Sequence, residues 1–215
     1  MGVPVLIIGK SGTGKTASLR NCPGDSGHWG VIKAINKPFP FRGSIPSVVT
    51  DDYAKIHAML AKSKAPSMVI DDAGYLITNA FMRNHSSKGA GNAVFNLYNT
   101  LADSFWGLVT FISEQLPDNK IVYIIMHEDT NEFGDIKPKT IGKLLDEKVC
   151  IEGMFTIVLR CVVENGQHVF VTQCADGAVS KSPIGMFDTL TIDNDLAAVD
   201  KTIREYYGGN ENAET

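Results

Sequence analysis

The amino-acid sequence predicts an α/β fold, in which a mostly parallel central sheet is flanked by helices. Three short apolar runs, at Val3 to Ile8, Ser67 to Ile70 and Lys120 to Met126, are typical of buried strands. Segments with helical spacing of apolar residues separate them, and this alternation is typical of parallel sheets. The chain has 215 residues, 44% hydrophobic and 20% charged, so it can bury a full core. We expect one domain over residues 1–207 and a disordered tail over 208–215.

A glycine-rich loop follows the first apolar run and matches the pattern G-x-x-x-x-G-K-[ST] of phosphate-binding P-loops. Its glycines allow backbone N–H groups to point at phosphate oxygens, and a helix starting near Lys15 is expected to direct its positive end at the same anion. Lys15 is expected to reach the β and γ phosphates, and the Thr16 hydroxyl to ligate Mg²⁺. The predicted nucleotide-binding residues are Gly9, Lys10, Ser11, Gly12, Thr13, Gly14, Lys15 and Thr16.

The segment between this loop and the second apolar run contains one further strand and one helix. His28 to Ile35 is predicted to be a strand, and Pro38 and Pro40 must lie beyond it, because proline cannot donate to a strand ladder. A turn or surface excursion follows. We then predict a helix from Asp51 to Lys64, capped by Thr50.

Two carboxylates, Asp71 and Asp72, stand at the end of the second apolar run. A carboxylate at the carboxyl end of a buried strand matches a Walker B element, in which Asp71 would hold Mg²⁺ through its water shell. Asp72 could orient or deprotonate the attacking water. It could equally cap the next helix, a position where aspartate is favoured.

The choice of nucleotide depends on which further motifs accompany the P-loop. Asp71 to Gly74 fits the D-x-x-G pattern of GTPases, but the guanine-reading N-K-x-D is missing. The pair Asn36-Lys37 is followed by Pro-Phe and precedes the Walker B strand, so it does not complete this motif. ATP is therefore the predicted nucleotide. A small-molecule kinase is a weaker alternative, because the sequence has no arginine cluster typical of a lid.

Beyond the two carboxylates, helical patterns alternate with polar loops, and Asn-Gly marks a hairpin turn between two late strands. Arg160 falls within an apolar strand pattern and is expected at an edge or an interface. The predicted elements are a helix from Tyr75 to Met82, a loop from Arg83 to Asn92, a helix from Val94 to Leu116, the strand Lys120 to Met126, a loop from Asp129 to Thr140, a helix from Ile141 to Lys148, a hairpin of Phe155 to Val163 with His168 to Cys174, and a helix from Asn194 to Tyr207.

Composition argues against several classes of protein. There is neither an apolar run of about 18 residues nor a leader-like segment, so we expect no membrane span and no signal peptide. The four cysteines form no C-x-x-C pair and three lie in apolar stretches, which predicts reduced, buried thiols in the cytoplasm. Because the net charge is −4, any binding of nucleic acid must come from local basic loops.

The order of the predicted elements resembles the RecA core. That core has a P-loop, a Walker B strand, a flexible loop, a long helix, a strand ending in a polar sensor, a second loop, and a terminal β-hairpin with a lysine beyond it. The compact size and the ending Lys-Ser-Pro-x-Gly-Met-Phe, Lys181 to Phe187, are similar to those of small phage-encoded RecA-like ATPases that assist single-strand DNA annealing and recombination. The similarity covers nearly the whole chain, and its specific part is the two Walker motifs.

The resemblance implies roles for particular positions. Two loops, Arg83 to Asn92 and Glu128 to Thr140, would face DNA, and Phe133 would offer a stacking surface to a base. His127 would sense the γ phosphate, and Lys181 would reach the ATP of a neighbouring subunit. Without the resemblance, these loops read as solvated loops and Lys181 as a surface lysine. The residues implied to contact DNA are Arg83, His85, Lys88, Phe133, Lys137 and Lys139.

One departure from the RecA pattern concerns the water-activating glutamate. That residue usually ends the second strand, where this chain has Lys33 to Lys37 and no carboxylate. Asp72 or Glu128 would have to substitute, or hydrolysis would be slow. We therefore predict a slow ATPase that DNA stimulates.

The predicted function is that of a Mg²⁺-ATP-dependent ATPase on single-stranded DNA, promoting annealing or recombination. It would assemble head to tail as a ring or filament in the cytoplasm, that of a bacterial host if it is phage-encoded, and a single-strand-binding protein or a helicase would be a further partner. The alternative is an AAA-type helicase loader or replication accessory switch that touches DNA only indirectly. The negative net charge favours this alternative.

Overall fold

The computed structural model describes residues 1–87, 92–132, 134–141, 149–174 and 179–208. Several sequence predictions lie outside these ranges: Lys88, Phe133, residues 142–148 of the predicted helix, and the tail from residue 209. The strands are β1 (Val3–Gly9), β2 (Trp29–Lys33), β3 (Ser47–Val49), β4 (Ser67–Asp71), β5 (Ile121–Thr130), β6 (Ile136–Pro138), β7 (Ile157–Glu164), β8 (Gln167–Val171) and β9 (Thr191–Asp193). The α-helices are α1 (Tyr53–Lys62), α2 (Gly74–Asn84), α3 (Asn92–Gln115) and α4 (Leu196–Gly208).

These strands form one mixed sheet in the order β3-β2-β4-β5-β1-β7-β8-β9, with β6 paired to β5. The six strands from β3 to β7 in this order run parallel, whereas β8, β9 and β6 pair antiparallel with their neighbours. The prediction of an α/β fold with a mostly parallel sheet is confirmed. The predicted late hairpin is also present, and its turn residues Asn165 and Gly166 both have positive φ, as a tight hairpin turn requires.

Both faces of the sheet are covered. Along β5, Val122 and Ile124 pack into a core with α1, α2 and α3, while Tyr123 and Ile125 pack into a second core with α4. Successive side chains of a strand point to opposite faces, so a strand buried on both faces must be apolar throughout. This explains why the strongest apolar runs of the sequence are the central strands.

The segment after the P-loop is shorter than predicted. Instead of an α-helix there is a 3₁₀ helix of six residues, Thr16–Asn21. The Ser18 hydroxyl donates to the Lys15 carbonyl oxygen at 2.6 Å, and Cys22 is extended because Pro23 follows it. A long helix dipole therefore does not point at the loop, and phosphate binding would depend on the loop N–H groups and Lys15.

Other boundaries differ because local hydrogen bonds decide them. Helix α1 begins at Tyr53 because Asp52, not Thr50, is its N-cap and accepts from the backbone N–H groups of the first turn. The predicted loop from Asp129 to Thr140 contains the end of β5 and all of β6. The short strands β3 and β9 were missed because each has three residues, too few to show a period.

The cysteines differ from expectation in burial. All four lie in described ranges and are free, but only Cys22 and Cys161 are buried, whereas Cys150 and Cys174 are exposed. In the described part of the chain, no helix is long and apolar enough to cross a membrane.

A buried polar cluster fastens α4 to the sheet at the edge where β4 begins. Asp200 accepts hydrogen bonds from Ser67 Oγ (2.6 Å), Tyr123 OH (2.9 Å) and Arg204 Nε (2.8 Å), and His28 Nε2 lies 2.9 Å from its Oδ2. Burial alone would raise the pKa of Asp200, but the hydrogen bonds from Ser67, Arg204 and His28 bring it below its usual range. This cluster therefore stabilises the ionised carboxylate.

Candidate functional site

The carboxyl ends of the parallel strands bring the Walker residues to one edge of the sheet. Strand β5 lies between β1 and β4, and His127 pairs in register with Gly9 at the start of the P-loop. Asp71 ends β4 beside the end of β2. Parallel strands place such residues together, which is where α/β proteins bind ligands. The P-loop, Asp71 and His127 are therefore neighbours although they are far apart in the sequence.

The P-loop conformation depends on its glycines. Gly12 and Gly14 have φ values of 81° and 99°, which side chains disfavour. A Cβ atom on Gly14 would also lie 2.9 Å from Nδ1 of His168, whose N–H donates to the Thr13 carbonyl oxygen at 2.7 Å. Cys161 supports the same carbonyl from β7, with Sγ at 2.9 Å. His168 and Cys161 thus stabilise the loop through the Thr13 carbonyl oxygen, and no sequence motif identified these two residues.

Lys15 is folded over the loop. Its Nζ donates to the carbonyl oxygens of Gly9 and Lys10 at 2.8 and 2.7 Å, and the residue is only 6% exposed. Burial lowers the pKa of Lys15, and the charges of Asp72 and Asp71 act in the opposite direction. The ammonium is held at the loop by carbonyl dipoles, which a phosphate could replace.

Thr16 and Asp71 supply the oxygen atoms for the predicted magnesium site. The Thr16 hydroxyl donates to Asp71 Oδ1 at 2.9 Å, and Asp71 is 2% exposed. Burial, and then the neighbouring Asp72, raise the pKa of Asp71, so this carboxylate lacks a full counter-charge. Hydroxyl and carboxylate oxygens are ligands that Mg²⁺ prefers, and the residues therefore fit the ion.

A more extensive protein-only metal site is absent from the described ranges. No group of three or more His, Cys, Asp or Glu side chains there is arranged to hold a metal ion. Magnesium at phosphate sites is bound through one or two carboxylates together with the phosphates, so this finding is compatible with a nucleotide-bound ion.

Asp72 faces a cleft above the P-loop and is not a helix cap. Its φ is 57°, the N-cap of α2 is Ala73, and no side chain caps that helix. Lys37 Nζ contacts Asp72 Oδ2, and His127 Nε2 lies 3.6 Å from Oδ1. We call this space of about 420 Å³ the phosphate cleft. It is lined by P-loop residues and by Lys37, Asp72, His127 and His168.

His127 lies where a group that responds to a bound phosphate would be expected. Burial, together with the positive charge of Lys15, lowers its pKa, which favours the neutral imidazole. A neutral imidazole can donate a hydrogen bond to a phosphate oxygen or accept one from water. His127 lies on the strand between the P-loop strand and the Asp71 strand, and its role as a sensor stays a prediction.

Glu128, the alternative water-activating carboxylate, is engaged elsewhere. Its Oε2 and Oε1 accept from Arg160 Nε and NH2 at 2.8 and 2.9 Å, and its side chain is 2% exposed. Arg160 therefore lies in a strand between β1 and β8 as an ion-pair partner, so an edge position is wrong, and an interface position stays a prediction. Glu128 does not line the phosphate cleft, whereas Asp72 does.

The residues implied to contact DNA are divided between two places. Arg83 belongs to α2, not to a loop, and its guanidinium contacts Asp51. His85 follows in a 3₁₀ turn and stacks on Phe81 with ring centroids 5.2 Å apart. Arg83 and Lys139 line two different cavities, which share Tyr75.

Lys137 and Lys139 belong to the hairpin that continues β5. Lys137 lies in β6, and Lys139 donates its backbone N–H to the His127 carbonyl oxygen at 2.7 Å. Lys139 also lines a second cavity of about 570 Å³, shared with Tyr75, His127 and the P-loop residue Ser11. One of the implied DNA-contacting lysines thus lies directly beside the P-loop.

Lys181 does not line the phosphate cleft of its own chain. Its backbone pairs with Val158 of β7 in an isolated antiparallel bridge, and its side chain is half-buried. A role for Lys181 in hydrolysis would therefore require a second copy of the chain.

No protein-family model matches this chain. A search of curated proteins found no relative either.

Proposed function

We propose that this chain is a Mg²⁺-dependent ATPase that acts on single-stranded DNA. The observation that carries the proposal is the 2.9 Å contact between Thr16 Oγ1 and Asp71 Oδ1 below a P-loop that holds a buried Lys15. A hydroxyl, a carboxylate and a loop lysine at one edge of a parallel sheet are the elements that P-loop proteins use for Mg²⁺ and the β and γ phosphates. When bound, Mg²⁺ would neutralise charge on these phosphates.

ATP is favoured over GTP by the location of the Asn36-Lys37 pair. Lys37 lines the phosphate cleft and contacts Asp72, a location that would suit binding to a phosphate and not to a base. A slow rate of hydrolysis is favoured by the carboxylates. Lys37 pairs with Asp72 and Arg160 pairs with Glu128, so each carboxylate already has a cationic partner.

The proposed link between nucleotide and DNA is the β5–β6 hairpin. His127 borders the phosphate cleft, and its backbone accepts from Lys139 three residues before the end of β5. A movement of His127 on nucleotide binding would therefore displace Lys139 directly. Head-to-tail assembly on the strand, with Lys181 of one subunit reaching the ATP of the next, is part of the same proposal and rests on the RecA resemblance.

Asp71→Asn is expected to remove the magnesium dependence of nucleotide binding. Asparagine can still accept from Thr16, so the variant should fold, but loss of the charge should weaken Mg²⁺ binding about 10- to 100-fold. The measurement is ATP affinity with Mg²⁺ and with a chelator, with the exposed Asp103→Asn as the matched control. Equal magnesium dependence in Asp71→Asn and wild type would contradict the proposed site.

Replacing Lys88, Lys137 and Lys139 together with alanine is expected to remove DNA stimulation of ATP hydrolysis. Three lost phosphate contacts should reduce the slope of log affinity against log salt by about 2 for a single strand. The measurement is hydrolysis and binding with a single-stranded oligonucleotide across a salt series, and ATP affinity without DNA serves as the control. Hydrolysis that is indifferent to DNA in the wild type would contradict the DNA part of the proposal.

A loader or accessory switch is the second candidate. The observation that favours it is the ion pair of Arg83 with Asp51, because this contact engages one of the few cations implied to bind DNA. The net charge of the protein is −4, so few other cations can replace it. ATP binding that is normal, together with hydrolysis insensitive to DNA, would select this candidate.

A further inference from the structure

The segment after β2 forms one wall of the phosphate cleft. Lys37, Pro38 and Pro40 of this segment line the cleft together with P-loop residues. The segment is anchored from behind, because the Lys33 ammonium contacts the Lys37 carbonyl oxygen and lies 4.7 Å from the ring centroid of Phe39. The contacts of Lys33 with this segment and the fixed φ of Pro38 and Pro40 therefore restrict the position of Lys37.

The ammonium of Lys37 is accessible to solvent and contacts the buried carboxylate of Asp72. Its side chain is 45% exposed, and that of its partner Asp72 is 4% exposed. Burial alone would lower the pKa of Lys37, but the contact with Asp72 and the charges of Asp72 and Asp71 outweigh burial and raise it. The ammonium thus remains charged, can be reached from solvent, and needs little backbone movement to exchange partners within the cleft.

Lys37 lines the cleft beside Asp72, where a terminal phosphate would be expected. Its partner Asp72 directly follows Asp71, which together with Thr16 would hold Mg²⁺ beside the phosphates. Lys15 occupies the loop side of the same cleft. A triphosphate entering here would present a multiply charged anion to Lys37, whereas Asp72 offers it a single charge.

We propose that Lys37 is a second phosphate-binding lysine, supplied by the same chain, which leaves Asp72 for the terminal phosphate of a nucleoside triphosphate. This inference rests on the proposed function, because it requires ATP in the cleft. A diphosphate lacks the group that would attract Lys37, so Lys37 stays on Asp72. Lys37 therefore makes the site prefer ATP to ADP, and triphosphate binding releases Asp72.

The test compares Lys37→Ala with wild type in calorimetric titrations of a non-hydrolysable ATP analogue and of ADP, each with Mg²⁺. Loss of one charged contact should weaken the affinity for the analogue about tenfold and leave the affinity for ADP unchanged. Lys37→Arg, which keeps the charge, should retain most of the preference for the analogue. Lys55→Ala is the matched control, because Lys55 is an exposed lysine 3.9 Å from Asp52 and outside the cleft, and it should change neither affinity.

Three results would overturn this inference. In the first two, wild type binds both nucleotides, and Lys37→Ala weakens the affinity for both equally or for neither. The proposed nucleotide site would then be supported, but the proposed role of Lys37 would be contradicted. If wild type binds no ATP, the proposed function and this inference fail together. Should thermal unfolding show that Lys37→Ala is not folded, Lys37→Met, which keeps an unbranched side chain of similar length, is measured under the same criteria.

Discussion

Replacing Lys15 with alanine is expected to weaken ATP binding about 100-fold. The ammonium makes two short hydrogen bonds to loop carbonyl groups, to Gly9 and Lys10, and a phosphate would take over these donors. Two charge-assisted hydrogen bonds at the low end of their usual range amount to about 3 kcal/mol, and each 1.4 kcal/mol is about tenfold in affinity. Equilibrium titration with a non-hydrolysable ATP analogue measures the change.

The control for this prediction is Lys10→Ala, which removes the same charge from the same loop. Lys10 is exposed, and only its backbone is predicted to contact phosphate, so the loss should be about fivefold or less. Thermal unfolding of both variants establishes that the loop change does not unfold the protein. If Lys15→Ala binds the analogue as tightly as wild type, the P-loop is not the phosphate site and the proposed function loses its main support.

The parts of the site that the sequence could predict are those encoded locally. The P-loop pattern has a fixed spacing, and the strands before Gly9 and Asp71 are apolar on both faces, so each is recognisable without its partners. Their meeting follows from one further rule, that parallel strands end at the same edge of a sheet. The contact between Thr16 and Asp71 was therefore predictable in kind, although 55 positions separate them.

The parts that the sequence could not predict depend on the order of the strands and on contacts between segments that are distant in the sequence. The pairing of Glu128 with Arg160 requires that β1 separate β5 from β7, and no local pattern encodes this order. The contact of Lys37 with Asp72 requires the segment after β2 to fold back over the end of β4. Both contacts neutralise a carboxylate that looked free in the sequence, and so they change which residue can activate water.

Asp200→Ala is expected to destabilise the fold by about 3–5 kcal/mol at pH 7. It removes the acceptor shared by Ser67, Tyr123, Arg204 and His28, and removal of one partner from a buried charge pair costs about this much. Chemical denaturation measures the free energy of unfolding. Glu205→Ala is the matched control, because Glu205 is an exposed carboxylate on the same helix, 3.7 Å from Lys201, and its loss should cost about 0.5 kcal/mol or less.

The stability difference between wild type and Asp200→Ala is also expected to depend on pH in a defined direction. Because its hydrogen bonds lower the pKa of Asp200 in the folded chain, the ionised carboxylate contributes stability above the unfolded pKa of about 3.9, and that contribution is lost as pH falls through the folded value. The stability difference between wild type and Asp200→Ala should therefore be constant from pH 7 to about pH 5 and decrease at lower pH. A difference that stayed constant down to pH 3 would mean that Asp200 acts through packing alone, and the charge would then contribute nothing to the attachment of α4.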